Sequence, residues 1–223
     1  NEFGPKWLDM YVKVHNKPAT IKSRAQVLRR YILPVLGSYR LNEIDTKHFD
    51  KLTANLKKQN LSMNTVKSVV QILRALLGVA VAWGEAQSVP KIRLPRVPEQ
   101  KPRFLTRVEA ERLLEHAPDD YRLLFLCALR TGIRKGELRG LKWSDIDFDR
   151  QVITVNRTIF DRDVEVSPKN NRARIVPMSP QLCAALKSER HLRGPYVFCK
   201  SDGSTLTETG PNRVLRNSCL SAG

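Results

Sequence analysis

Four prolines in one short stretch decide how this chain can fold. Pro90, Pro95, Pro98 and Pro102 all fall within residues 86–103. Each lacks a backbone N–H and collides with the turn before it, so no helix runs through the stretch, which stiffens toward an extended linker. The 223 residues therefore divide into a domain over 1–87, a linker over 88–103 and a second domain over 104–223. Lys91, Arg93, Arg96, Lys101 and Arg103 lie among the prolines. Either they follow the backbone of a polyanion across the gap between domains, or they simply solvate a linker.

Residues 5–85 read as helical. One helix covers about 5–15. A second runs from Thr20, an N-cap after Pro18, to Leu33, with Ile21, Ala25, Leu28 and Ile32 on one face; Pro34 and Gly37 then break the chain. A third spans 46–58, with Thr46 as its cap. The fourth is the clearest: Ser62 caps it, and Met63, Val66, Val70, Leu73, Leu77 and Ala80 recur at spacings of three and four. Its other side carries Asn64, Lys67, Ser68, Gln71 and Arg74, rich in donors and free of acids.

Charge says what such a bundle meets. The formal net charge is +17 and the pI about 10.1. The first 103 residues hold 19 Lys+Arg against 7 Asp+Glu, and residues 10–42 and 51–84 contain no carboxylate. A solvated surface normally mixes both signs, so acid-free stretches of this length point to a face that meets phosphates. Lys22, Arg29, Lys67 and Arg74 are expected on phosphates, with Asn64 and Gln71 nearer base edges. No apolar run is read as reaching the roughly 18 residues of a membrane span, and no secretory leader is read; no membrane partner is expected. Cys127, Cys183, Cys199 and Cys219 are widely spaced and the four histidines scattered. That pattern predicts neither a disulfide framework, a metal site nor a cofactor, and fits a reducing cytoplasm. The start, Asn1-Glu2-Phe3-Gly4-Pro5, without methionine, is read as that of a fragment.

The second domain opens with a capping box, Thr106 and Glu109. Helices are expected at 106–116, 119–130 and 134–142. β alternation follows in Gln151 to Val155 and on toward Thr158, in Asp163 to Val166 and in Arg174 to Val176. A helix at 180–191, a short strand at 196–198 and a helix at 209–220 complete the chain. The fold class is mainly α with a small antiparallel β-sheet, that is, α+β.

The densest chemistry lies in Thr131-Gly132-Ile133-Arg134-Lys135-Gly136-Glu137-Leu138-Arg139-Gly140-Leu141. An apolar helix meets a glycine break, and a second helix begins around Arg134. Arg134 and Glu137, three apart, share a helical face, so the carboxylate can fix a guanidinium plane suited to bidentate capture of phosphate oxygens. The alternative is a solvated ion pair. Farther on, Pro168-Lys169-Asn170-Asn171 reads as a hairpin tip, where a lysine is ordinarily solvated.

Both segments resemble the tyrosine recombinases, the phage-integrase family. The first is similar to its box T-G-x-R-x-x-E-L-x-x-L, the second to its β-hairpin G-K-x-x-K-x-R-x-V-P-L, with Pro168 in place of the usual glycine. The resemblance implies an N-terminal helical core-binding bundle followed by a partial catalytic domain. It implies metal-free cleavage and rejoining of double-stranded DNA through a 3′-phosphotyrosine. Arg134 is then the first catalytic arginine, Glu137 its support and Lys169 the acid for the leaving 5′ oxygen. Arg172 and Arg174 match flanking basic positions that contact the DNA backbone, as Arg93 and Arg96 would in the linker. The family's second box, H-x-x-R and later the tyrosine, is missing. Arg213 to Ser218 looks superficially like it, but Arg213 stands where histidine belongs, and the segment reads as the preceding helix. None of Tyr11, Tyr31, Tyr39, Tyr121 and Tyr196 has the nucleophile's context. The chain is thus expected to be a truncated integrase that binds DNA without cutting it, monomeric as a fragment and tetrameric on DNA when complete. It would be cytoplasmic and nucleoid-associated, of bacterial or phage origin. A naturally short DNA-binding protein of the same ancestry is an alternative. A basic RNA-binding protein is another, but it would need exposed stacking aromatics, and aromatic residues make up only 7%.

Overall fold

A computed structural model of the chain describes residues 2–99, 102–160, 164–166 and 173–223. It resolves into two compact units, Asn1–Lys101 and Pro102–Gly223. Among the described residues the architecture is mainly helical with small antiparallel sheets.

In the first unit, helix α1 covers 3–15, α2 covers 18–36, α3 is Thr46–Lys58 and α4 is Met63–Ala82. Trp7, Val12, Leu28, Leu52, Leu56, Val66, Leu73 and Leu77 interlock as its core. The helix boundaries correct three expectations. Thr20 is not a cap: α2 begins at Pro18, whose missing N–H is harmless in a first turn, and the amides of Thr20 and Ile21 bond to Lys17 O at 2.9 and 3.1 Å. Pro34 does not break α2. The helix widens into a π turn at Leu28–Ile32, where Leu33 N bonds back to Leu28 O, and this relaxes the ladder ahead of the proline before the helix ends at Leu36. Asp45, not Thr46, caps α3, its Oδ1 accepting from His48 N at 3.1 Å.

Helix α4 is long and apolar enough to cross a membrane by length and composition, which corrects the reading that no run reaches that length. Its burial is one-sided: Val66, Val69, Val70, Leu73, Leu76 and Leu77 enter the core, while Asn64, Gln71 and Arg74 are exposed. That is the pattern of a bundle's central helix. The extended segment after α4 packs on the same core through Val89, Ile92 and Leu94, and Thr46 Oγ1 donates to Lys91 O at 3.2 Å. Part of the proline-rich stretch is thus seated on the bundle.

The second unit has helices α5 (Arg107–Glu115), α6 (Asp119–Thr131), α7 (Lys135–Arg139), α8 (Pro180–Ser188) and α9 (Gly210–Ser221). Strands β1 (Ile146–Asp147), β2 (Val152–Val155) and β5 (Arg174–Pro177) form an antiparallel sheet in the order β1-β2-β5, and β3 (Thr158–Phe160) pairs with β4 (Val164–Val166). Strands 163–166 and 174–176 were expected to face each other across a hairpin. Instead β4 pairs with β3, Ile159 opposite Glu165, and β5 pairs with β2, Val155 opposite Arg174. The tip at 168–171 lies outside the described residues. Helix α7 is shorter than 134–142, and α8 stops three residues before 191. Tyr196 makes a single antiparallel bridge to Lys142 in place of a strand, while Val197 and Phe198 enter the core beside Leu141, Ile153 and Leu182.

Candidate functional site

Thr131 closes α6, its Oγ1 donating to Cys127 O at 2.5 Å and accepting from Ile133 N at 3.2 Å. Gly132 then turns the chain with φ of 66°, a left-handed conformation that suits glycine. Ile133 is buried, which pins the turn, and Arg134 follows as the N-cap of α7, extended at φ −70° and ψ 149°. Arg134 therefore precedes the helix and does not share a helical face with Glu137. The connection runs through the cap: Glu137 Oε2 accepts from Arg134 N at 2.9 Å, and Oε1 meets Arg134 Nη1 at 3.3 Å.

Glu137 is the centre of the arrangement. Its side chain is only 2% exposed, and it is gripped by a second arginine, Arg174, whose Nη1 and Nη2 donate at 2.9 and 2.7 Å. Burial pushes its carboxyl up. The hydrogen bonds from Arg174 and the Arg134 amide, with the Arg174 charge, outweigh that and hold it below the usual carboxylate range. The same contact raises Arg174. Arg134 keeps 64% of its side chain exposed. The product is an outward cation on an anchored turn.

A supporting layer lay hidden from sequence reasoning. Arg139 is 1% exposed, and its Nε and Nη1 donate to Leu206 O at 2.7 Å and Ile159 O at 3.1 Å. Lys135 Nζ donates to Glu208 O at 2.9 Å. Asp145 accepts from Lys142 N at 2.8 Å and pairs with Arg157. The one signal for this layer was the Gly136/Gly140 spacing. A Cβ on Gly136 would collide with Thr158 Oγ1, and one on Gly140 would come within 3.2 Å of Arg157 Cγ and 3.3 Å of Ile159 Cγ1. Both glycines let α7 lie close on β3.

Gly136→Ala is accordingly expected to destabilise the protein by about 1–3 kcal/mol through overpacking, against a helix-propensity gain of at most about 1 kcal/mol. In a Thr158→Ala background the same change should be neutral or stabilising. Urea denaturation decides it, and wild-type stability for the single variant would mean the contact is not tight.

Of the residues singled out from sequence, Arg134, Glu137 and Arg174 come together. Lys169 and Arg172 lie outside the described residues. Lys22, Arg29, Asn64, Gln71 and Arg74 are exposed on α2 and α4, and Lys67 is half-buried. Arg93 and Arg96 are exposed on the extended segment, and Arg74 and Arg93 line one cavity of about 970 Å³ with Thr46, Asp50, Thr53 and Lys91. Among the described residues no cluster of three or more His, Cys, Asp or Glu could hold a metal ion.

The phage integrase family matches residues 103–223, and the phage integrase N-terminal SAM-like domain matches residues 1–57. A XerC-like tyrosine recombinase of Caldanaerobacter subterraneus subsp. tengcongensis is 32% identical over 210 residues, covering 83% of this chain and 53% of the relative. Tyrosine recombinase XerA of Thermococcus onnurineus is 29% identical over 184 residues, covering 81% and 58%. The chain thus spans little more than half the length of these relatives. Among solved structures, Tn1549 transposon integrase in complex with a circular intermediate DNA has a TM-score of 0.84 at 18% identity, covering 99% of this chain and 78% of that one. A λ integrase tetramer bound to a Holliday junction has a TM-score of 0.77 at 16% identity, covering 99% and 65%. At such identities the likeness establishes the fold.

Proposed function

Because this chain belongs to the phage integrase family of tyrosine recombinases, we propose that it is the DNA-binding and partly catalytic portion of a site-specific recombinase. The complete enzyme would cleave and rejoin duplex DNA through a 3′-phosphotyrosine, without a metal. The observation that carries this reading is the buried Glu137 carboxylate, which fixes the Arg134 turn and leaves its guanidinium facing solvent. Phosphodiester cleavage needs fixed positive charge around the equatorial oxygens and an acid for the departing alkoxide. Arg134 supplies the first, Glu137 positions it, and Lys169 gives its proton to the 5′ oxygen. Lys22, Arg29, Lys67 and Arg74 meet phosphates, with Asn64 and Gln71 at base edges. Arg93, Arg96 and Arg172 track the backbone. The complete protein assembles as a tetramer on DNA, as the λ integrase relative does, and works on the nucleoid in the cytoplasm. The 223-residue chain binds as a monomer and makes no covalent link, since no tyrosine follows Tyr196 and no H-x-x-R box occurs in it.

The test incubates this chain with a duplex carrying its target site. Binding is expected, with no protein–DNA band on a denaturing gel. Changing Lys22, Arg29, Lys67 and Arg74 together to alanine should lower the slope of log affinity against log salt by about 3–4, roughly 0.9 per lost contact. An unchanged slope would remove this surface. A denaturation-resistant band that vanishes in Tyr196→Phe would place the nucleophile within the chain.

A further inference from the structure

A carboxylate offers about four lone-pair sites. On Glu137 four donors occupy them: Arg174 Nη1 and Arg134 Nη1 on Oε1, Arg174 Nη2 and Arg134 N on Oε2. The Arg174 contacts, at 2.9 and 2.7 Å, are shorter than the 3.3 Å contact of the Arg134 guanidinium with the same carboxylate, and they take the fork-to-fork geometry that an arginine otherwise presents to a phosphate. If Arg174 turned away to grip DNA, a carboxylate 2% exposed would keep one amide and one 3.3 Å contact. Stripping a buried charge of its partner is strongly unfavourable. Arg174 is therefore committed to Glu137.

The location matters as much as the bond. Arg174 is the first residue of β5, locked opposite Val155 of β2. Glu137 sits in the first turn of α7 and holds the Arg134 amide. One ion pair thus fastens the arginine turn to β5.

We propose that Arg174 is a positioning residue, not a DNA contact: through Glu137 it holds the Arg134 turn against β5. The proposal rests on the reading of Arg134 given above. It is tested on the 223-residue chain with a mixed-sequence duplex of about 30 base pairs, comparing salt slopes. Arg134→Ala should lower the slope by about 0.9. Arg174→Gln should act only through Arg134, so adding it to Arg134→Ala should change the slope no further. Arg174→Lys, which keeps the charge but loses the fork, should behave like Arg174→Gln. A further loss of about 0.9 in the double variant, or a wild-type slope for Arg174→Lys beside a lowered one for Arg174→Gln, would make Arg174 a phosphate contact and overturn the proposal.

A second readout separates positioning from mere stability. In side-chain NMR, Arg174→Gln should raise the Glu137 carboxyl titration toward the ordinary range and broaden the Arg134 Nε–Hε signal. An unaltered Arg134 signal, even with a lower melting temperature, overturns the proposal. If Arg134→Ala leaves the salt slope at wild type, the functional reading of Arg134 fails, and the positioning claim is still decided by that signal. Should Arg174→Gln unfold, Glu137→Gln with Arg174→Gln removes the buried charge together with its partner and carries the same comparison.

Discussion

Replacing Arg134 by alanine, in a chain that also carries the nucleophilic tyrosine, is expected to slow strand cleavage about a hundredfold to a thousandfold. Duplex binding should fall only several-fold. The asymmetry follows from what the side chain faces. Arg134 is one cation among 39 lysines and arginines, so it adds little to a binding energy spread over many phosphates. In the pentacoordinate transition state, negative charge gathers on oxygens at one point, and on the proposed reading the Arg134 guanidinium, on a turn held by the Glu137 cap, would meet it without reorganising. Arg134→Lys should recover little, because an ammonium on a flexible stem has no fork. Single-turnover cleavage of a suicide substrate measures the effect. A wild-type rate in the alanine variant would take Arg134 out of the reaction.

Lys169→Ala is expected to cost about a hundredfold to ten-thousandfold in the same assay, the range of a general acid. The loss should depend on the leaving group. An alkoxide departs poorly without a proton, whereas a thiolate needs none. A substrate with sulfur at the 5′ bridging position should therefore restore cleavage to Lys169→Ala and leave Arg134→Ala slow. This contrast separates proton donation from charge stabilisation, which both variants would otherwise report as slow cleavage. Rescue of both, or of neither, would contradict the role given to Lys169.

Local patterns determined a great deal about this protein. The prolines between residues 86 and 103 end where one compact unit gives way to the next, and four of them so close together remove too many N–H donors for a helix to run through. Ser62 and the apolar spacing of α4, and the Thr106–Glu109 box of α5, are likewise local, since a cap joins groups three residues apart. The Arg134–Glu137 pair was legible as chemistry for the same reason. Its geometry was not. Whether Arg134 lies inside the helix or caps it depends on Gly132 and on Ile133 being buried, and spacing alone does not distinguish the two.

Tertiary structure decided what residues distant in sequence do to one another. Arg174 is 37 positions from Glu137, and no periodicity connects them; β2–β5 pairing brings them together. Turn chemistry at Pro168-Lys169-Asn170-Asn171 suggests a hairpin between the flanking strands, but alternation marks a strand without naming its partner, and β4 pairs with β3. Nothing in the spacing around Arg139 marks it as buried. It is buried because Gly136 and Gly140 let α7 settle on β3 and carbonyls of residues 159 and 206 receive its donors. Helix α2 passes Pro34 because a π turn relieves it in advance, and sequence spacing does not encode that choice. Sequence alone therefore determined the elements and the chemical groups, since propensity and capping act over a few residues. Burial and pairing across the fold determined which arginine faces outward and which is held.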